Sequence, residues 1–156
     1  MVKFENGNLL DAPVDYICHQ VNCQGRMGSG IAGQIRERWP KVYSNYMERY
    51  YLYADCHSEQ HLLGEISIVD VKDKRVINMF GQLHYGYDGD RYTSYDAFWS
   101  CLMKIKSDVP KGSKIGFPYG IGCGLGGANF EVISTMIDVV LGDDYDVYIY
   151  CLREDK

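Results

Sequence analysis

Residues 116–127 read Gly116-Phe-Pro-Tyr-Gly-Ile-Gly-Cys-Gly-Leu-Gly-Gly127, and apolar or aromatic residues at 115, 117, 119 and 121 lead into its closely spaced glycines. A helical pattern follows from Ala128 to Leu141, so the stretch is predicted to join a strand to a helix. Glycine lets the backbone approach a ligand closely, and a helix N-terminus adds partial positive charge. The pattern indicates an anion-binding loop, although a tight turn before a helix would produce the same pattern.

A second glycine-rich loop reads Asn22-Cys-Gln-Gly-Arg-Met-Gly-Ser-Gly30, and it also follows an apolar strand and precedes a helix. Ligands of open α/β sheets bind outside the C-terminal ends of the strands, so both loops are expected at that edge. Two backbone cradles that face each other suit a diphosphate with a sugar on each side. The pair therefore indicates a nucleotide-like ligand more strongly than either loop alone.

The two loops match no standard nucleotide fingerprint. Neither reads G-x-x-x-x-G-K-[ST], so a P-loop ATPase is not indicated. Residues 122–127 do satisfy G-x-G-x-x-G, but they follow the fifth predicted strand, whereas a dinucleotide fingerprint normally follows the first. We treat that match as coincidental.

Strand and helix patterns alternate along the chain, with two consecutive strands at the start and two more in the middle. Thr93 is predicted to cap the third helix, with Asp96 in the capping-box position. This order predicts one three-layer α/β/α domain, residues 1–156, around a mixed, mostly parallel sheet. The strands are predicted at 2–5, 16–21, 63–71, 75–80, 114–119 and 146–152, and the other helices at 31–39, 42–53 and 128–141.

Composition narrows the classes of function. The chain has 156 residues, 46% hydrophobic and 24% charged, as in an ordinary globular domain. Its formal net charge of −5 argues against direct nucleic-acid binding, which needs clustered Lys and Arg. No signal peptide or membrane span is visible, so a cytoplasmic protein with six reduced cysteines is expected.

Over essentially its whole length the chain resembles the macro domain family, which binds ADP-ribose. The resemblance leans toward the small stand-alone branch that includes ADP-ribose-1″-phosphate phosphatases and terminal ADP-ribose protein glycohydrolases. It implies a macro-domain-like fold and ADP-ribose, a derivative or an ADP-ribosylated macromolecule as partner, with no cofactor and no metal. The segments that carry it are Gly7–Leu10, His19–Ala32, Asn78–Gln82 and Pro118–Leu125.

The resemblance also implies where ADP-ribose is bound. Asn8 stands where macro domains usually carry an Asp that accepts from the adenine amino group, and an Asn carbonyl can accept the same bond. Residues 28–32 would hold one phosphate, and residues 120–124 the other phosphate and the distal ribose. The implied ligand-binding residues are Asn8, Leu9, Asn22, Arg26, Met27, Gly28, Ser29, Gly30, Ile31, Ala32, Phe80, Gln82, Pro118, Gly120, Ile121, Gly122, Cys123, Gly124, Leu125, Tyr150 and Leu152.

Within this set, some residues have a more specific implied role. Asn22 would lie near the hydroxyls of the distal ribose, and Phe80 would pack against that ribose. Tyr150 and Leu152, at the end of the last strand, would form the adenine wall. Cys123 could be reactive near a helix N-terminus, but we prefer to interpret it as a small residue that fits a tight loop.

The departures from the family pattern bear on the reaction. The mono-ADP-ribosylhydrolase branch carries Asn at His19 and Asp at Ala32. The terminal glycohydrolase branch uses a Lys where Gly81 or Gln82 stands, and an Asp where Gly126 stands. A covalent Lys–ribose intermediate therefore has no obvious nucleophile at that position.

Three residues remain as candidates for catalysis. The phosphatase branch also carries His19, which could act as a general acid, a general base or a phosphate ligand; a buried, hydrogen-bonded structural histidine is the alternative. Asp88 and Asp90 could act on an attacking water, or could belong to a solvated Gly/Asp turn.

The preferred activity is the hydrolysis of ADP-ribose-1″-phosphate. The alternatives are a non-catalytic module that binds ADP-ribose, and a hydrolase that releases ADP-ribose from modified protein or nucleic acid.

Cys56, His57 and His61 form one further cluster, with the two histidines four residues apart. That spacing suits zinc on a helix. A fourth ligand is not evident, so no metal site is predicted.

Overall fold

The computed structural model describes residues 1–28, 30–85, 91–123 and 126–152. The predicted site residues Ser29, Asp88, Asp90, Gly124 and Leu125 lie outside these ranges. The described strands are β1 Lys3–Asn6, β2 Tyr16–Asn22, β3 Ile66–Val71, β4 Lys74–Gln82, β5 Lys114–Pro118 and β6 Asp146–Cys151. The helices are α1 Gly30–Arg38, α2 Pro40–Ala54, α3 Tyr95–Asp108 and α4 Phe130–Leu141, with 3-10 turns at Leu9–Asp11 and Glu59–His61.

The six strands form one sheet in the order β1-β6-β5-β2-β4-β3. All neighbouring pairs are parallel except β3 and β4, which form an antiparallel hairpin at one edge. β2 lies at the centre between β5 and β4, with Tyr16 opposite Ile115 and Arg75. Consequently β5, β2 and β4 all end at the same edge of the sheet.

Helices cover both faces of the sheet, and each face has its own apolar core. On one face, Ile35 of α1 and Val42 of α2 pack with Ile17 of β2. On the other, Ile105 of α3 and Ile137 of α4 pack with strand residues from β2, β4, β5 and β6. Burying each such side chain contributes roughly 1.5–3 kcal/mol. The predicted three-layer α/β/α fold with a mixed, mostly parallel sheet is confirmed.

The starts of α2 and α3 differ from the predictions for identifiable reasons. α2 begins at Pro40 because proline suits the first helical position, where its missing N–H would have no partner. The predicted Thr93 cap is wrong: Ser94 caps α3, and its hydroxyl accepts from the Ala97 amide at 3.1 Å. The Thr93 hydroxyl instead donates to the Gly122 carbonyl, in the glycine loop that follows β5.

The longest described helix, α2, has 15 residues. Within the ranges that the structure describes, no helix has the length and apolarity needed to cross a membrane.

Candidate functional site

A cleft of about 1010 Å³ opens at the C-terminal ends of β2, β4 and β5. The last residue of each of these strands, Asn22, Gln82 and Pro118, lines it. Both glycine loops contribute to the cleft walls because the strands that precede them are neighbours in the sheet. The predicted site residues that line the cleft are Asn22, Arg26, Met27, Gly28, Gly30, Ile31, Ala32, Gln82, Pro118, Gly120, Ile121 and Gly122.

The first wall is shaped by Asn22. Its side-chain oxygen accepts from the Gln24 amide at 2.9 Å and from the Tyr46 hydroxyl at 2.8 Å, while its amide nitrogen donates to the Arg26 carbonyl at 2.8 Å. Gly25 has φ +79 and lies under the Tyr50 ring, which would be 3.0 Å from any Cβ at that position. Contacts from α2 therefore hold this loop in one conformation. Asn22 both lines the cleft and fixes the shape of the loop through its hydrogen bonds.

The N-terminus of α1 continues the first wall. Gly28 and Gly30 are exposed, and a Cβ added to either would meet no atom of another described residue within 4 Å. Gly33 has a different role, because a Cβ there would lie 2.9 Å from the Gly28 carbonyl oxygen. The first turn of α1 carries no acidic residue. The partial positive charge of this helix N-terminus therefore favours an anion in the cleft.

Arg26 and Arg36 are the charged side chains among the described residues that line the cleft. The Arg36 guanidinium lies 3.7 Å from the centre of the Tyr43 ring and donates to the Met27 carbonyl at 3.4 Å. This stacking presents a pre-oriented cation at the cleft wall. The described lining contains no carboxylate, lysine, histidine or cysteine, so its electrostatic character favours anions.

The second wall consists of residues 118–122 and Gly126. Gly120 and Gly122 have φ +78 and +76, conformations that favour glycine. The Cys123 amide donates to the Gly120 carbonyl at 2.8 Å, and the Ala128 amide donates to the Gly122 carbonyl at 2.9 Å. The floor between the walls is neutral and polar, because Gln20 and Gln82 reach it from β2 and β4.

His19 does not reach the cleft. Its side chain is fully buried, and Nε2 donates to the Asn78 side-chain oxygen at 2.5 Å. Asn78 in turn donates to the Ser67 hydroxyl at 3.1 Å, so the three side chains form a buried polar row across β2, β4 and β3. Burial lowers the pKa of His19 to about 4, which keeps the imidazole neutral. Burial and the bond to Asn78 favour the structural alternative for His19, and its catalytic role stays a prediction.

Two predicted ligand residues belong to the core. Phe80 is fully buried and stacks on Tyr46 with 5.7 Å between ring centres, and Leu9 is buried in the same core. They do not line the cleft, because the inward face of β4 and the 3-10 turn after β1 pack under α1 and α2.

Four other predicted ligand residues also lie outside the cleft lining. Asn8 caps the 3-10 turn by accepting from the Leu10 amide at 3.0 Å, and Tyr150 packs 3.7 Å from where a Cβ on Gly7 would be. Leu152 is exposed beyond β6. Cys123 is partly buried, which raises the pKa of its thiol, so it is not an activated nucleophile.

Among the described residues there is no group of three or more His, Cys, Asp or Glu side chains that could hold a metal. The described residues include Cys56, His57 and His61, which lie in the turn after α2 and in the 3-10 turn that follows.

The sequence reading missed several lining residues. Arg36 follows Ala32 by four residues and so lies on the same face of α1, a spacing that could have indicated it. Gln20 precedes Asn22 by two residues on β2, which places both on one face of the strand. Tyr43 was assigned only to a buried helix face. The missed lining residues are Gln20, Val21, Arg36, Tyr43, Tyr85 and Tyr119.

Comparison with known proteins finds sequence relatives that bear one shared name. A protein of Mycobacterium tuberculosis named DNA ADP-ribosyl glycohydrolase is 27% identical over 156 residues, which covers 96% of this chain and 42% of the relative. The chain thus spans less than half the length of that relative. No protein-family model matches the chain.

Several solved structures share the fold of this chain over nearly its whole length. The macrodomain of Mycobacterium tuberculosis DarG aligns with a TM-score of 0.78 at 23% identity, over 96% of this chain and 97% of that one. Thermosipho africanus DarTG, solved in complex with ADP-ribose, aligns with a TM-score of 0.73 at 18% identity, over 99% of this chain and 43% of that one. At these identities the likeness establishes the fold.

Proposed function

This chain has the macrodomain fold, and from that premise we propose that its cleft binds ADP-ribose and that the protein hydrolyses the bond between the distal ribose and a leaving group. The observation that carries the proposal is the cleft itself. Two glycine loops form its opposite walls, and the cleft is also lined by the first turn of α1, which carries no acidic residue, and by two arginines. A volume of about 1010 Å³ is ample for a ligand of this size.

The leading substrate is ADP-ribosylated DNA. Support comes from the relative that aligns with 96% of this chain and bears the name DNA ADP-ribosyl glycohydrolase. Hydrolysis of ADP-ribose-1″-phosphate, the activity that the sequence favoured, relied on His19. Because that side chain is fully buried and neutral, the phosphatase is the second candidate.

The chemistry follows from which groups reach the cleft. Gly81 or Gln82 stands where the glycohydrolase lysine would be expected, and neither offers an amine that could form a covalent intermediate with the ribose. We therefore assign the attack to water. The water oxygen bonds to C1″, the bond from C1″ to the leaving group breaks, a base takes the water proton and the leaving group gains one from solvent.

Asp88 and Asp90 are our candidates for that base. They follow Tyr85, which lines the cleft, by three and five residues in the sequence. A carboxylate is a suitable general base for water, and none is present among the described lining residues.

The test uses two substrates in parallel, a single-stranded oligonucleotide carrying ADP-ribose on a base and ADP-ribose-1″-phosphate. We expect release of ADP-ribose from the oligonucleotide, and a loss of about 10²-fold or more in the rate for Asp88→Asn or Asp90→Asn with unchanged ADP-ribose affinity. Asp73→Asn, an exposed carboxylate in the β3–β4 turn, is the matched control. Binding of ADP-ribose without turnover of either substrate would reduce the protein to a reader and refute the hydrolase.

A further inference from the structure

The residues directly before α3 contact the glycine loop that follows β5. We call Tyr92, Thr93 and Ser94 the clasp. The Tyr92 and Thr93 amides both donate to the Gly126 carbonyl, at 2.7 and 2.9 Å. The Thr93 hydroxyl donates to the Gly122 carbonyl at 2.8 Å. The clasp therefore holds the glycine loop at two points that are four residues apart.

The clasp is anchored to the sheet on its other side. The Ser94 amide donates to the Gly81 carbonyl at 2.8 Å. The Gln20 side-chain nitrogen donates to the Thr93 hydroxyl and to the Gln82 side-chain oxygen, each at 2.7 Å. Thr93 is 2% exposed, so its hydroxyl accepts from the sheet and donates to the loop in a buried setting.

Packing makes the clasp and the loop dependent on each other. A Cβ at Gly122 would lie 3.2 Å from the Thr93 hydroxyl, a tight contact. A Cβ at Gly126 would clash with the same hydroxyl and lie 2.6 Å from the Gly122 carbonyl oxygen. No side chain fits at position 126 while Thr93 holds the loop.

We propose that Thr93 is a positioning residue of the ligand site. Its hydroxyl fixes the Gly122 carbonyl and so the shape of the cleft wall at residues 120–122, opposite the α1 wall. The inference rests on the proposed function for its ligand, ADP-ribose. It also explains why residue 126 is a glycine, because the Thr93 side chain fills the space that a Cβ would need.

The experiment compares three variants by calorimetric titration with ADP-ribose. Thr93→Val keeps the size of the side chain and removes the hydroxyl, and we expect about tenfold weaker binding, the effect of one buried hydrogen bond. Thr93→Ser keeps the hydroxyl and should bind within about twofold of the unmodified protein. Thr135→Val, whose hydroxyl donates to the Glu131 carbonyl on the exposed face of α4, should bind as the unmodified protein does.

A second measurement needs no ligand. Hydrogen exchange at the Ala128 amide, which donates to the Gly122 carbonyl, should accelerate in Thr93→Val and not in Thr93→Ser. If Thr93→Val does not fold, Thr93→Ala replaces it in both measurements, because it removes the hydroxyl without placing a methyl group there. We expect the same weaker binding and the same faster exchange.

The two readouts separate the possible failures. Equal ADP-ribose affinity for Thr93→Val and Thr93→Ser would overturn the positioning role. If the unmodified protein does not bind ADP-ribose, the proposed function fails. In that case hydrogen exchange alone decides whether Thr93 holds the loop, and unchanged exchange in Thr93→Val would overturn the clasp as well.

Discussion

Replacing Gly28 with glutamate gives the sharpest test of where the cleft holds an anion. Gly28 is exposed beside the N-terminus of α1, its φ lies outside the left-handed region, and an added Cβ would meet no other described residue within 4 Å. Gly28→Glu should therefore fold normally and place a carboxylate in the cleft. Gly122→Glu would be a poorer test because its Cβ would press on Thr93 and Gln20 at 3.2 and 3.3 Å.

The expected loss of affinity follows from Coulomb's law. A carboxylate about 4–5 Å from one phosphate charge, at an effective dielectric constant of about 20, costs roughly 3–4 kcal/mol. That free energy corresponds to a loss of about 150- to 700-fold in ADP-ribose affinity. Gly28→Gln has the same shape without the charge, so the difference between the two variants isolates the electrostatic contribution.

The assay is calorimetric titration with ADP-ribose at two salt concentrations, with thermal unfolding as the control for folding. The gap between Gly28→Glu and Gly28→Gln should shrink as salt rises, because the Debye length falls from about 10 Å at 0.1 M to about 3 Å at 1 M. Gly28→Ala should unfold at the same temperature as the unmodified protein or slightly higher. Equal affinity for Gly28→Glu and Gly28→Gln would refute the placement of a phosphate at α1.

Three further predictions concern the surroundings of the cleft. Tyr46→Phe removes the hydroxyl that donates to the Asn22 carbonyl and side-chain oxygens, each at 2.8 Å, and should lower the free energy of unfolding by about 1–3 kcal/mol in urea titrations. His19 binds its proton more weakly when folded, with a pKa of about 4 against 6.5, so stability should be full above pH 6.5 and fall toward pH 4 by up to about 1.4 kcal/mol per unit. A His19→Gln protein with the same slope over that window would contradict this assignment. Arg36→Gln should weaken ADP-ribose binding about fivefold or more and reduce its salt dependence, while Arg49→Gln, on α2 and outside the cleft lining, should not.

Much of the fold could be predicted because its signals are local. The apolar run before residue 22 and the glycines after it indicate a strand, a loop and a helix without reference to the rest of the chain. The adjacency of the two glycine loops also followed, because parallel strands present their C-terminal ends at one edge. The predicted cap of the third helix was one residue too early. Thr93 and Ser94 are both good caps, and the contact of Thr93 with Gly122 leaves Ser94 as the cap.

The site was predicted less completely. Phe80 and His19 lie in the same strands as lining residues, but both side chains are fully buried, and Phe80 packs in the core beneath α1 and α2. Nothing near His19 in sequence reveals that Asn78, 59 residues away, accepts its hydrogen bond. Arg36 became a cleft residue through its stacking on Tyr43 of the next helix.

The sequence by itself determined the order of the elements, the three-layer architecture and the two glycine loops, because these depend on periodicity and on backbone freedom within a few residues. Tertiary structure alone decided which polar side chains meet the ligand and which support the fold. Gln20 contacts Thr93 across 73 residues, and Thr93 contacts Gly122 across 29. Such contacts depend on strand order and helix packing, so Gly126 can be understood only once Thr93 is seen to occupy the space beside it.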